Sequence, residues 1–281
     1  MDPDPISVFV PAHITGFFSV HREDDPVRTG SRGAGLTLTD GVHISAELAE
    51  SSLVTMDGET VQIEPVEFVL EQFEIAAQIE ARSDVPLGAG FGVSGAMALG
   101  TAIALNQLSE RSRSTNELVS IAHVAEVLAG TGLGDVVAQA RGGVPIRIEP
   151  GAPEIGIMDD IPGTGRIEYL SLGELSTEEV LMGDVGPINT AGGSALVRLR
   201  ERPTVRELLR TSRTFAHESS LLTDDVEAIV EEVLAHEGEA SMAMLGQTVF
   251  ALETGLTDAG YDPNVCEIDI CGARLDPDLG A

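Results

Sequence analysis

The chain has 281 residues, 43% of them hydrophobic, enough for one large core or two modest cores packed together. Against 46 Asp and Glu stand 16 basic residues, all of them Arg, and the resulting charge of −30 repels a phosphate backbone or an anionic leaflet. Nucleic acid and membrane surfaces are therefore excluded as partners unless a local basic stripe exists, and none is visible in the sequence.

The opening MDPDPISVFV has acidic and Pro residues where a signal peptide needs a basic start, and no long apolar span follows, so a cytoplasmic protein is expected. The first sixty-odd residues alternate β-rich runs (ISVFV, GFFSVH, GLTLT, VHISAEL, SLVTM, VQIEP) with the turn signals Asp40-Gly41 and Asp57-Gly58. That pattern predicts a meandering, largely antiparallel sheet. From Pro65 to Arg82, Val66, Val69, Leu70, Phe73 and Ile75 to Ala77 recur at helical spacing and predict a helix. The loop SDVPLGAGFG comes next, then helices over Val93 to Leu108 and Thr115 to Ala129, a short helical piece after Gly134, and a strand in VPIRIEP.

The Pro-, Gly- and Asp-rich stretch from Gly151 to Gly165 reads as a boundary between halves 1–155 and 156–281. Beyond it are a predicted strand, Arg166 to Leu172, and helices over Ala191 to Arg200, Val205 to His217 and Asp224 to His236. ASMAMLGQTVFAL suggests core packing, and VCEIDI closes the chain as a β-rich run. The whole reads as an α+β protein of two halves. Cys266 and Cys271 match neither CxxC nor a zinc pair and are expected as buried reduced thiols.

Chemistry concentrates in two places. In Pro86-Leu87-Gly88-Ala89-Gly90-Phe91-Gly92-Val93-Ser94-Gly95-Ala96, three alternate glycines allow positive φ and close backbone approach, and the following helix offers free N–H groups to phosphate. Taken alone, the loop equally suits a tight turn. The spacing is not GxGxxG, no strand is predicted to lead into it, and a Walker loop needs a Lys that the chain lacks.

The second place is AHVAEVLAGTGLGDVVAQARGG. His123 and Glu126 lie three apart on one predicted helix face, and the Gly130 to Gly134 turn can aim Asp135 toward them. Two carboxylates near a phosphate loop suit phosphoryl transfer, one for Mg²⁺ and one for a hydroxyl proton, although in so acidic a chain solvated surface carboxylates are the alternative.

PLGAGFGVSGA resembles the second motif of the GHMP kinases, commonly PxGxGLGSSAA, with Phe91, Val93 and Gly95 as departures and Ser94 retained. The resemblance implies that Pro86, Gly88, Ala89, Gly90, Gly92, Val93, Ser94, Gly95 and Ala96 bind ATP and that Ser94 helps hold Mg²⁺. It also implies Glu126 as metal ligand and Asp135 as base, followed by the Gly142-Gly143 pair.

The opening FVPAHITGFFSVHREDDPVRTGSRGAGLTL is similar to that of archaeal pantoate kinases, whose hallmark is close to PGHITGFF, an acidic patch and GSRGAG; Ala12 stands where the family usually has Gly. This second resemblance implies a ribosomal-S5-domain-2-like N-terminal half and a ferredoxin-like C-terminal half. It further implies ATP-dependent phosphorylation of pantoate on its primary hydroxyl, toward coenzyme A, with Ser31, His123 and Arg147 contacting the substrate. Arg147 suits the substrate carboxylate, and Arg32 is a second cationic candidate. Other GHMP kinases acting on homoserine, shikimate or mevalonate, and a non-catalytic nucleotide-binding regulator, remain open at this point, as does a homodimer.

The lysine-free acidic composition suggests a halophilic host, where molar salt shortens the screening length to roughly 3 Å, with an unusually acidic mesophilic protein as the alternative.

Overall fold

The computed structural model describes residues 4–109, 112–173, 180 and 183–276. It begins with a long antiparallel ribbon, β1 (Ile6–His21) against β2 (Gly30–Leu48). Where the sequence predicts four short strands there are two. ISVFV and GFFSVH are one strand, and GLTLT and VHISAEL another. Asp40-Gly41 is no turn: it lies where the register slips between Pro11↔Gly41 and His13↔Thr37, a bulge inside β2. The physical reason is burial. Helices pack on the ribbon, β1 is buried almost end to end, and polarity cannot alternate to mark strand limits.

Asp57-Gly58 does turn the chain, between β3 (Leu53–Met56) and β4 (Glu59–Thr60). VQIEP is not a strand but the approach to α1 (Glu64–Phe73). The helix expected up to Arg82 stops at Phe73, where Glu74 takes a left-handed φ of 53°. Ala77–Ser83 then forms β5, with Ala77, Ile79 and Ala81 buried and Gln78, Glu80 and Arg82 exposed. That period of two begins immediately after the apolar run at 75–77, which disguises it as helix. A strand therefore does lead into the glycine loop, but it lies between β2 and β3 and opens no βαβ unit, so context as well as spacing argues against a dinucleotide fingerprint.

α2 (Val93–Leu108), α3 (Thr115–Ala129) and α4 (Asp135–Arg141) stand where the sequence places them. α2 needs small residues because it packs onto β2: a Cβ on Gly100 would lie 2.5 Å from Ile44 Cδ1. α3 begins with a reciprocal cap between Ser114 and Glu117. β6 (Pro145–Glu149) pairs with β2 and with β7 (Ile157–Asp160), so the stretch read as a bare boundary carries a strand of the first sheet. The main path of that sheet runs β12 (Arg274–Leu275)–β1–β2–β5–β3–β4.

The second sheet runs β11 (Asn264–Glu267)–β8 (Arg166–Gly173)–β10 (Gln247–Leu252)–β9 (Ala240–Ala243), all antiparallel. α5 (Gly186–Glu201) and α6 (Val205–Glu218) pack on β1, and α6 and α7 (Asp224–Ala235) pack on β9. ASMAMLGQTVFAL is thus a strand, a tight turn at 244–246 and a second strand. The two halves are tied at Tyr169 of β8, whose ring meets Phe91 edge-on at 5.0 Å and whose hydroxyl donates to Asp40 Oδ2 at 2.8 Å. Two sheets with helices on them make an α+β fold. Cys266 is buried as expected, whereas Cys271 is exposed; both are free. Among the described residues no helix is long and apolar enough to cross a membrane.

Candidate active site

Residues 84–92 join β5 to α2. Gly88, Gly90 and Gly92 have φ of 76°, 91° and 67°, the left-handed backbone that the alternate-glycine spacing predicts. Gly92 is the N-cap of α2 and no side chain caps the helix, which leaves its first N–H groups and positive end for an external acceptor. Pro86 and Gly88 lie exposed at the rim, while Ala89, Val93, Gly95 and Ala96 are buried and can offer a ligand only main chain.

The loop is held from three directions. His13 N–H donates to Phe91 O at 3.0 Å, Gln139 Nε2 to Gly92 O at 3.0 Å, and Thr248 Oγ1 to Ala89 O at 2.9 Å. Gly246 packs on this backbone: a Cβ there would lie 1.9 Å from Ala89 O. The turn expected only as core is therefore a support of the glycine loop.

Ser94 is the second residue of α2 rather than its cap. Its Oγ donates to Glu126 Oε1 at 2.6 Å, and Thr131 Oγ1 donates to the same oxygen at 2.9 Å. Gly132 is required beside them, because a Cβ would come within 2.2 Å of Glu126 Oε2. Glu126 is 3% exposed, and burial pushes its carboxyl up to about 7 against the two hydroxyl bonds, with the nearby Asp135 charge adding to the rise.

Among the described residues no three His, Cys, Asp or Glu side chains form a metal cluster. One carboxylate and one hydroxyl nevertheless fit Mg²⁺, a hard cation that keeps waters and phosphate oxygens as its remaining ligands. A buried carboxylate that, among the described residues, has no cationic side chain paired with it is the observation that fits such an ion.

Asp135 opens α4 and reaches a small pocket lined also by Thr15, Phe18, Ser31, Leu133, Arg147 and Leu245. His13 Nδ1 donates to Asp135 Oδ1 at 2.6 Å, with Thr15 Oγ1 at 3.3 Å. Burial opposes ionisation of Asp135. The hydrogen bond and charge of His13, the charge of Arg147 and the bond from Thr15 together outweigh it and hold the carboxyl below its ordinary range. His13 is fully buried, and desolvation lowers its pKa against the bond and charge of Asp135.

Arg147 is 3% exposed, and its Nε and Nη1 are buried with no hydrogen-bond partner. Gly134 stands at the cavity's throat, where a Cβ would be 2.6 Å from both Arg147 Nε and Ser31 Oγ.

Of the residues expected at the substrate, Ser31 and Arg147 line the cavity. His123 lies outside its lining: it is buried and its Nε2 donates to Thr29 O at 2.8 Å, holding the approach to β2, while Glu126 shares its buried helix face. Arg32 follows Ser31 on β2, faces away and pairs with Glu149 Oε2 at 2.5 Å in a separate groove under α5. Residues at the site with no role assigned from sequence include His13, Thr15, Phe18, Thr131, Leu133 and Leu245. His13 and Thr15 fall inside the quoted PAHITGFF run, and polar residues on an apolar strand were the available signal.

Residues 63–143 match the family described as GHMP kinases N terminal domain. The chain is 36% identical over 263 residues to a pantoate kinase of Thermococcus kodakarensis, covering 88% of this chain and 87% of that one. It is 35% identical over 277 residues to a pantoate kinase of Methanocaldococcus jannaschii, covering 93% and 99%. A solved structure described as a phosphotransferase related to the CoA biosynthesis pathway superposes with a TM-score of 0.88 at 30% identity, covering 99% of this chain and all of that one. Matched to these relatives along most of their length at 35–36% identity, the chain belongs to the pantoate kinase family of the GHMP kinases.

Proposed function

We propose that this protein transfers the γ-phosphoryl group of ATP to the primary hydroxyl of pantoate, giving 4-phosphopantoate and ADP, a step toward coenzyme A. One observation carries the substrate assignment: Arg147, buried and with two nitrogens unpartnered, lies in the same cavity as Asp135. An unpaired buried guanidinium calls for an anion, and a carboxylate matches its fork. Pantoate carries that carboxylate at one end and the reacting hydroxyl at the other.

In this reading the glycine loop and the first turn of α2 take the phosphates through backbone N–H groups, a fixed electrostatic cradle in a chain without Lys. Ser94 and Glu126 would hold Mg²⁺, which when bound neutralises charge on the phosphate oxygens. Ser31 orients the substrate beside Arg147. Asp135, kept ionised, accepts the hydrogen bond of the primary hydroxyl and takes its proton as the new O–P bond forms. Leu133 and the flanking glycines close one side of the cavity, and Leu245 brings in the C-terminal half. The acidic, lysine-free surface is the basis for assigning the reaction to a salt-rich cytoplasm.

The test is ADP release from MgATP with pantoate, homoserine, shikimate and mevalonate in parallel, in molar KCl, using wild type and Asp135→Asn. Turnover confined to pantoate is expected, with kcat lowered about 10²- to 10⁴-fold in the variant and KM little changed. Turnover with a different acceptor overturns the substrate. ATP binding by folded protein without turnover of any acceptor favours a non-catalytic nucleotide binder.

A further inference from the structure

The turn between β9 and β10 is pinned on both sides. Met244 N–H donates to Thr15 O at 2.9 Å, and Gly246 lies against the carbonyl of Ala89. Between these anchors Leu245 holds φ of +65°, a left-handed backbone that branched apolar residues seldom adopt. Strain of this kind collects at functional sites. Glycine would sit there without strain, so the position is explained by what the leucine side chain does.

The cavity that Leu245 lines is divided by polarity. Thr15, Ser31, Asp135 and Arg147 supply its polar part, and Phe18, Leu133 and Leu245 its apolar part. Phe18 is itself fixed by packing at 5.7 Å on Phe215.

We propose that Leu245, with Phe18, is the specificity-determining wall of this site, packing against a methyl-bearing quaternary carbon that lies between the substrate's carboxylate and its reacting hydroxyl. The inference rests on pantoate as substrate, whose third carbon bears two methyl groups in that position. Arg147 and Asp135 alone cannot distinguish pantoate from the same dihydroxy acid without the methyls, since both present a carboxylate and a primary hydroxyl. The apolar wall can.

The experiment compares kcat/KM for pantoate and for 2,4-dihydroxybutanoate in wild type, Leu245→Gly and Leu245→Asn, with the KM for ATP measured alongside. Glycine and asparagine both tolerate the left-handed backbone, so the turn keeps its path in at least one of them. Wild type should prefer pantoate by more than about tenfold, since a single methylene in an apolar pocket is worth roughly 10- to 200-fold. Both variants should bring that preference close to unity by losing activity on pantoate, with the KM for ATP unchanged. A preference within about threefold of wild type in a folded variant overturns the role of Leu245 while leaving the substrate intact. Wild-type turnover of neither compound overturns the substrate reading and this inference with it.

Discussion

Replacing Arg147 by Met should move stability and activity in opposite directions. In the ligand-free protein the guanidinium is 3% exposed with Nε and Nη1 unpartnered. Each buried unpartnered donor costs about 1–3 kcal/mol, and the attraction of the nearby Asp135 offsets part of that sum. Met keeps most of the volume and none of the charge, so the free protein should gain about 1–3 kcal/mol. With substrate bound the balance reverses. A carboxylate left unpaired in a buried cavity costs about 3–5 kcal/mol, which at 1.4 kcal/mol per decade is roughly a hundred- to several-thousand-fold in affinity. The assay is urea unfolding in molar KCl, with ADP-release kinetics over a range of pantoate at saturating MgATP. A separate ATP titration shows whether the phosphate loop is intact. A variant less stable than wild type, with a KM for pantoate changed by less than about threefold, would refute the reasoning.

Glu126→Gln tests the metal site through stability. A carboxyl raised from the ordinary 4.5 to about 7 contributes stability that is full below pH 4.5, declines as pH rises toward 7, and is absent above it. Wild type should therefore lose roughly 3 kcal/mol relative to the Gln variant across that window in metal-free buffer, and added Mg²⁺ should restore only wild type; parallel stability curves sink the idea. His13→Leu should shift the acid limb of the kcat/KM profile upward, because Asp135 loses the bond and charge that depress its pKa while its burial remains. His13→Asn, which keeps a donor near the Nδ1 position, should restore the profile, and an unmoved acid limb in His13→Leu would show that the 2.6 Å contact has no bearing on Asp135.

The parts of the site legible in sequence are those whose chemistry is local. Alternate glycines at 88, 90 and 92 announce a left-handed backbone because no other residue takes it freely, and the structure has all three there. Glu126 and His123 share a helix face by periodicity alone, and Gly132 and Gly134 sit where Cβ atoms would strike Glu126, Arg147 and Ser31. Ser94, Asp135 and Arg147 follow from motif positions within a few residues of such signals.

What composition and local pattern determined, then, is an anionic α+β protein with a glycine loop at positive φ before a helix and two carboxylates, Glu126 and Asp135, on the segment that follows. The tertiary structure decided the rest, for reasons that spacing does not encode. A ribbon packed along most of its length hides its bulges, so one slip in register sets where His13 and Thr15 lie. Strand alternation sends Ser31 into the cavity and Arg32 out of it. His13 meets Asp135 across 122 residues, and Leu245 reaches the same cavity from the other sheet. Contacts of that separation are fixed by how two sheets and their helices share one core, because only packing brings such distant side chains within bonding distance.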